Sequence, residues 1–174
     1  MNIFVLDIDP VKAAQAMDCV RVPKMVTESA QMMASALRRH GATDEQMPLT
    51  KSGRPYVGGY KFHPCTRWAG DSEANFAWLA RHATALCNEY AKRFGKNHAC
   101  ERPIHSMIGL IFLFADKYPS PKAALTPFAQ AMPDEYKDDD VVKAYRAYYH
   151  SKVDSPGGVH YRHTSPPDWW EVKT

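Results

Sequence analysis

The sequence predicts a mainly α-helical protein, folded as a single compact domain over residues 1–174, with a short extended segment at the N-terminus and long loops. Three observations support this prediction. Apolar residues recur at helical spacing in several stretches, helix start and stop signals flank those stretches, and a content of 45% hydrophobic and 11% aromatic residues is typical of a globular protein. A chain of 174 residues is also long enough to bury a core in one domain.

The chain begins with a short apolar strand over residues 2–9, which leads directly into a helix. Asp9 followed by Pro10 is a strong helix start, because Asp caps the first free N–H groups and Pro fits the first helical position. A short helix over residues 11–18 follows, and Pro23 is expected to break or restart the helix. The second helix ends near Gly41 and buries a methionine-rich face that comprises Met25, Val26, Ser29, Met32, Met33, Ala36 and Leu37.

The middle of the chain is predicted to form a long loop and then a long helix. Residues 42–60 are rich in Gly, Pro, Thr and Lys and lack apolar periodicity, which favours a loop, and loops of this length are often functional. After a His-Pro-Cys segment, a helix should run from about Asp71 to Phe94, with Gly95 as its C-cap. Its apolar stripe comprises Phe76, Leu79, Ala83, Leu86 and Tyr90.

Two further helices and a packed tail are expected in the C-terminal part. Residues 103–118 include an apolar run that periodicity alone also allows as a strand, and we favour a helix. Another helix starts near Asp139 or Asp140 and carries Val142, Tyr145, Tyr149 and Val153 on one face. The tail, residues 156–174, contains two adjacent tryptophans and should fold back onto the body, because Trp is rarely left in solvent.

Composition and charge restrict the class of protein. A formal net charge of +3 permits contact with nucleic acid without requiring it. No apolar run is long enough to span a bilayer and acids follow the first apolar run at once, so we expect a cytoplasmic protein with no membrane partner. Cysteines at positions 19, 65, 87 and 100 should stay reduced in such a protein.

The first candidate site is a row of polar residues on the second helix. Arg21, Lys24, Glu28 and Gln31 are spaced by three, four and three residues, which places them along one helical face. Two interpretations remain open. The row is either the solvated face of an amphipathic helix or a cationic site that binds phosphate, with Glu28 as an acid or base. Asp7 could border the same pocket.

A second polar set lies on the helix over residues 71–94. Asn75, His82, Glu89 and Arg93 recur at intervals of seven or four, interleaved with apolar positions. Polar groups placed in this way must be satisfied if they are buried, so they form either a structural network or the wall of a phosphate- or DNA-binding pocket. The network is the simpler interpretation, because a site also requires residues from other elements.

Two further patterns concern metal and nucleic acid. His63-Pro64-Cys65 and His98-Ala99-Cys100 contain zinc-ligand types, but this spacing is not a usual one, and we expect no metal and no cofactor. Basic and aromatic residues alternate around Arg146 and in the tail, which suits phosphate contact and base stacking. The same aromatic residues would equally suit a core helix with a tryptophan anchor.

Two stretches resemble a known family. Ala14 to Met17 with Val20 to Val26, and then Asn75 to His82 with Leu86 to Gly95, are similar to the phage pyrimidine-dimer DNA glycosylases of the endonuclease V type. In that family an Arg-Glu-Leu-Pro-Arg run follows a similar helix. The resemblance covers about a third of the chain.

The resemblance implies a chemistry for the N-terminus. In that family the α-amino group attacks the sugar C1′ of a damaged nucleotide, expels the base through a Schiff base and cleaves the strand by elimination. By analogy, Met1 or Asn2 would provide the amine here, with Met1 expected to be retained because Asn2 is large. Lys24 matches the basic residue after the family's proline, as a phosphate contact. Arg21 occupies the position of the catalytic glutamate, so Glu28 or Asp7 would act as acid or base.

Three functions therefore remain open. The chain is a DNA glycosylase with lyase activity, or a phage enzyme that processes nucleotides or modified bases on a related scaffold, or a non-catalytic protein that binds DNA or a host partner. DNA or nucleotide is the expected partner for the first two. The position of the N-terminus relative to Arg21, Lys24 and Glu28 separates a site from a solvated helix face.

Overall fold

A computed structural model describes residues 1–114 and 124–170. Within these ranges the chain forms six α-helices and three 3₁₀ turns, and the only β pairing is an isolated bridge between Leu49 and Pro55. The prediction of a mainly α-helical protein is confirmed. The helices are α1 (Pro10–Gln15), α2 (Arg21–Arg39), α3 (Pro64–Ala69), α4 (Glu73–Phe94), α5 (Glu101–Ile108) and α6 (Val141–His150), and the 3₁₀ turns are Ile111–Phe114, Asp134–Tyr136 and Ser151–Asp154.

The N-terminal segment does not form the strand predicted over residues 2–9. Its apolar residues from Ile3 to Leu6 are buried, but Phe4 has a φ of 36° and the Leu6 N–H donates to the Phe4 carbonyl at 2.7 Å. A strand needs a neighbouring strand to satisfy its N–H and C=O groups, and the described part of this domain offers none. The segment therefore coils into the core instead of extending.

The helix starts follow the capping signals, except that α2 begins before Pro23 and not at it. Asp9 accepts hydrogen bonds from the N–H groups of Val11 and Lys12 at 2.8 and 3.1 Å, as expected for an N-cap. Pro23 does not break the helix but lies in the first turn of α2, which begins two residues earlier at Arg21, and its missing N–H has no helical partner to lose there. Gly95 adopts a φ of 67° at the end of α4, which confirms it as the C-cap.

The core lies between α2 and α4, which pack against each other, while α1 crosses α4 and both α3 and α5 flank α2. α2 contributes its methionine face and α4 its predicted stripe. α5 is shorter than the helix predicted over 103–118 and is followed by the turn Ile111–Phe114; residues 115–118 lie outside the described ranges. No helix in the described residues is both long and apolar enough to cross a membrane.

The sequence prediction missed α3 as a separate helix. The Nδ1 atom of His63 accepts a hydrogen bond from the Cys65 N–H at 3.2 Å, and Pro64 occupies the first helical position. The second His-x-Cys motif repeats this geometry, because the Nδ1 atom of His98 accepts from the Cys100 N–H at 3.1 Å, just before α5. Both motifs serve as helix-entry turns.

The tail contacts the helices through its aromatic residues. Trp170 stacks on His150 with 4.4 Å between the ring centroids and contacts Tyr149 edge-on at 5.9 Å. The Tyr161 hydroxyl donates to the carbonyl of Ala16 at 3.0 Å. These contacts tie the described part of the tail to α6 and to the segment between α1 and α2.

The burial of His82 leads to a prediction about stability in acid. The residue is fully buried and stacks on Trp78 at 5.0 Å, and neither ring nitrogen has a hydrogen-bond partner among the described residues. Burial lowers the pKa of His82 to about 3. In the unfolded chain, His82 has the ordinary histidine pKa of about 6.5. At a pH below this value the unfolded chain therefore binds a proton that the folded protein does not, so stability should fall as the pH falls from about 6.5 towards 3.

The substitution His82→Phe should remove this contribution and keep the ring stack. Urea denaturation between pH 4.5 and 7.5 is expected to show a shallower loss of stability in acid, by up to about 1.4 kcal/mol per pH unit. His105→Phe, at an exposed position of α5, is the matched control and should leave the slope unchanged. If the stability of His82→Phe falls as steeply in acid as that of the parent, the acid sensitivity does not come from His82.

Candidate active site at the N-terminus

The N-terminus lies against the middle of α2. The α-amino nitrogen of Met1 is 3.5 Å from Oε2 of Glu28, and the Asn2 N–H donates to the same oxygen at 2.8 Å. Glu28 is only 9% exposed, so both interactions are partly shielded from water. One carboxylate oxygen therefore holds the first two nitrogens of the chain.

The site is open on one side. The Met1 side chain is 1% exposed, although the residue as a whole is partly exposed, so the exposed part of Met1 is its main chain. Lys24 is one turn before Glu28 on α2, with its Nζ 3.7 Å from Oε1 and its side chain 70% exposed. The carboxylate thus lies between the partly exposed main chain of Met1 and a solvent-exposed cation.

The Asn2 side chain holds the terminus in this position. Its Oδ1 accepts hydrogen bonds from the N–H groups of Ile3 and Phe4 at 2.7 and 3.0 Å, and its Nδ2 donates to the carbonyl of Ala131 at 3.0 Å. These bonds replace the strand hydrogen bonds that the segment lacks. The tight turn at residues 2–6 therefore directs the amine towards α2.

His63 and Cys65, at the start of α3, are the other titratable groups near the amine. Burial lowers the pKa of His63, the positive N-terminus lowers it further, and Glu28 opposes both effects. Because Nδ1 accepts from the Cys65 N–H, the neutral ring carries its proton on Nε2. Burial raises the pKa of the Cys65 thiol to about 12, so this side chain stays uncharged.

Gln31 and Ser35 continue the same face of α2 and contact the loop that precedes His63. The Ser35 hydroxyl accepts a hydrogen bond from the Gly59 N–H at 2.9 Å and donates to the Gly59 carbonyl at 3.1 Å. A Cβ added at Gly59 would lie 3.7 Å from the Gln31 side chain. The polar face of α2 therefore joins the amine, Glu28 and this loop.

Arg21 does not join the amine, although the spacing placed it on the same face. Its guanidinium donates to Asp18 at 2.9 Å and to the carbonyl of Gly158 at 2.8 Å, and Asp18 also accepts a short hydrogen bond from the Tyr149 hydroxyl. Asp18 is fully buried and Arg21 almost so. This network connects α2, α6 and the tail.

The polar set on α4 forms a second internal network. Asn75 donates to the carbonyl of Trp68 at 2.8 Å and to the Thr126 hydroxyl at 2.7 Å. Arg93 pairs with Glu89 at 2.6 Å and donates to the carbonyl of Met17 at 2.5 Å. His82 is fully buried as well. These contacts support the interpretation that the polar residues of α4 form a structural network and not the wall of a binding pocket.

Asp7 and Arg146 lie together in a different cleft. Asp7 accepts a hydrogen bond from the Asp9 N–H at 2.9 Å, and Arg146 donates to the carbonyl of Leu6 at 3.0 Å and lies 4.8 Å from the Trp169 ring. Both line a cleft of about 510 Å³. Within residues 1–114 and 124–170, neither forms a hydrogen bond or ion pair with Glu28.

The sequence did not identify His63 as part of this site. In the sequence His63 stands out only as half of a His-x-Cys pair, and the proline after it is the signal that it precedes a helix. In the described part of the chain, no group of three or more His, Cys, Asp or Glu residues is placed to hold a metal ion.

Part of the chain matches the sequence model of a known protein family. The model of the pyrimidine dimer DNA glycosylases matches residues 1–102, which comprise the N-terminus, α1 to α4 and the start of α5. The matched region includes Met1, Lys24, Glu28 and His63. No curated protein and no solved structure gave a significant match. Because the match covers more than half of the 174 residues, the chain belongs to the pyrimidine dimer DNA glycosylase family, a family of DNA repair enzymes.

Proposed function

We propose that this protein is a DNA glycosylase with lyase activity, in which the N-terminal amine is the nucleophile and Glu28 the acid–base group. The observation that carries the proposal is the position of Glu28 Oε2, 3.5 Å from the Met1 nitrogen and 2.8 Å from the Asn2 nitrogen. The carboxylate reaches the terminal amine whether Met1 is kept or removed. An acid or base within hydrogen-bond reach of a nucleophile is the geometry that activates it.

The reaction follows from this pair. The neutral amine donates its electron pair to C1′ of the damaged nucleotide, and the bond from C1′ to the base breaks with its electrons moving to the base, which takes up a proton. The nitrogen then loses a proton and its electron pair forms the C1′=N bond, while the electrons of the C1′–O4′ bond move to O4′, which takes up a proton; the product is a protonated Schiff base. Removal of a C2′ proton then expels the 3′ phosphate with the electrons of the C3′–O bond. Glu28 is the group next to the amine that exchanges these protons.

Glu28 supplies the carboxylate that this chain lacks at position 21, where the family pattern has a glutamate. The family pattern has its glutamate two residues before the proline, where this chain has Arg21, and Glu28 is seven residues further along α2. Seven residues are close to two helical turns, so position 28 lies on the same face as position 21. A carboxylate at position 28 meets the amine because the N-terminal segment runs along this face.

Lys24 and His63 complete the proposed site. Lys24 is exposed and adjacent to the carboxylate, so it suits a contact with the phosphate of the bound nucleotide. The lowered pKa of His63 favours its neutral ring, which carries its proton on Nε2. His63 therefore serves as a second proton carrier beside the charged groups.

Borohydride reduction tests the proposal. With duplex DNA that carries an abasic site, hydride addition to the Schiff base should leave a covalent protein–DNA complex, and peptide mapping should locate the adduct on the first residue of the mature chain. Intact mass identifies whether that residue is Met1 or Asn2. A version extended by a few residues at the N-terminus should lose trapping, because its amine no longer lies beside Glu28.

Lys24→Ala is the control for the identity of the nucleophile. At saturating DNA it should still be trapped, since Lys24 is proposed to bind phosphate. Loss of trapping in this variant, with retention in the extended chain, would assign the nucleophile to Lys24. No trapping with any version would exclude the lyase chemistry and leave the two alternatives, an enzyme that processes nucleotides or modified bases and a non-catalytic binding protein.

A further inference from the structure

One short segment beside the site displays three large apolar side chains to solvent. We define the strap as residues 57–62. Val57, Tyr60 and Phe62 are 73%, 72% and 78% exposed, the highest values among the large apolar side chains in the described residues. Apolar side chains grouped at the surface mark interaction sites, because leaving them in water is unfavourable.

The strap is held in place rather than loosely attached. Ser35 on α2 forms two hydrogen bonds with Gly59, and the His63 N–H donates to the Tyr60 carbonyl at 2.8 Å. Gly58 has a φ of +83°, and a Cβ there would lie 2.1 Å from the Ser35 hydroxyl. The close approach to α2 requires glycine, and it fixes the direction in which the aromatic side chains project.

Cations surround the strap. A cleft of about 580 Å³ lies between the strap, α2 and α3, and no acid is part of its lining. Arg38 and Arg39 in this lining pair with Asp44 and Asp71. Lys61 and Arg67 are exposed and form no salt bridge within the described ranges. Exposed aromatic rings with uncompensated cations are the combination that binds bases and phosphates together.

The strap is also continuous with the proposed active site. Phe62 directly precedes His63, and Arg67 is one turn further along α3. On α2, Ser35 anchors the strap on the face that carries Lys24 and Glu28. Ser35 is seven residues after Glu28, about 10 Å along the axis of α2, so a nucleotide displaced from a duplex at the strap would have roughly this distance to cover to reach Glu28.

We propose that the strap is the element that enters double-stranded DNA at the lesion, with Tyr60 and Phe62 filling the space of an unstacked base while Lys61 and Arg67 contact the flanking phosphates. Apolar side chains inserted between base steps unstack them, and an enzyme that reacts at C1′ needs the nucleotide out of the stack. The inference rests on the proposed function for its substrate, but it concerns a separate step, the distortion of the duplex.

The test uses a duplex that carries a tetrahydrofuran abasic analogue, which cannot form a Schiff base, with 2-aminopurine next to it. The parent protein should raise the 2-aminopurine fluorescence by unstacking it. The double variant Tyr60→Ala/Phe62→Ala should lose this rise and bind the duplex about tenfold more weakly. Both residues are exposed, so the variant should keep the parent circular dichroism and melting temperature. Phe112→Ala, at another exposed phenylalanine, should behave as the parent.

Borohydride trapping on a single-stranded abasic oligonucleotide separates the two proposals, since no duplex has to be opened. The double variant should be trapped as efficiently as the parent. A variant that still unstacks 2-aminopurine would overturn the strap inference, whatever the trapping result. A parent that unstacks the duplex but is never trapped would overturn the lyase chemistry and leave the strap inference standing.

Salt dependence tests the cations. Arg67→Ala should reduce the slope of log affinity against log salt by about one, because one phosphate contact is lost. Arg81→Ala, on the exposed surface of α4, should leave the slope unchanged. Equal slopes for Arg67→Ala and the parent would exclude Arg67 from the DNA contact.

Discussion

Replacement of Glu28 by glutamine is expected to lower single-turnover cleavage of abasic duplex DNA by about 10²- to 10⁴-fold, the range typical of losing a positioned acid–base group. The amide keeps the shape of the side chain and an oxygen that accepts from the Asn2 N–H, but it no longer takes a proton from the amine. The nucleophile should remain in place while its proton exchange is lost. Borohydride trapping should slow in parallel with cleavage.

The measurement needs a control for charge and one for folding. Glu73→Gln removes an exposed carboxylate from the first turn of α4 and should leave the cleavage rate within about twofold of the parent. Urea denaturation should show that Glu28→Gln stays folded, since the substituted amide preserves the packing. If Glu28→Gln cleaves as fast as Glu73→Gln, the carboxylate only anchors the N-terminus.

Removal of Arg93 should have the largest effect on stability, a loss of about 3–5 kcal/mol for Arg93→Ala. Arg93 is 5% exposed, pairs with Glu89 at 2.6 Å and donates to the carbonyls of Met17 and Gln15 at 2.5 and 3.1 Å. Its loss leaves an unpaired charge and two carbonyl oxygens without this donor. Because Gln15 ends α1 and Met17 lies in the segment between α1 and α2, the substitution should also loosen the start of α2.

The midpoint of urea denaturation measures this effect. Lys92→Ala removes the neighbouring exposed cation and should change stability by less than about 0.5 kcal/mol. A double variant, Glu89→Met/Arg93→Met, should lose less than Arg93→Ala, because no lone charge is left buried. Equal losses for Arg93→Ala and Lys92→Ala would show that this ion pair contributes little.

Most of the helices were predictable because their signals are local. Asp9 and Pro10 start α1, Gly95 ends α4, and the stripe from Phe76 to Tyr90 marks the buried face of α4. The N-terminal strand was the main error. Four consecutive buried apolar residues, Ile3 to Leu6, suit a central strand and a buried coil equally well, and only the absence of a neighbouring strand in the described residues distinguishes them.

The candidate site was predictable in part. Helical spacing correctly placed Lys24 beside Glu28, since residues four apart on a helix are always neighbours. The same rule placed Arg21 on that face, but a long side chain at the start of a helix turns to the nearest buried acid, and that acid is Asp18. His63 was missed because its relation to the N-terminus depends on how α3 packs against α2.

Local sequence patterns are therefore enough to define the helical class, the helix caps and the polar face of α2, because each depends on residues within one or two turns. The packing of the whole chain, in contrast, brings the N-terminal amine to Glu28, includes Arg21 and the polar residues of α4 in internal networks, and holds the strap against α2 next to His63. The difference arises from distance along the chain. Met1 and Glu28 are brought together by the burial of an apolar segment between helices, and no local pattern encodes where that segment packs.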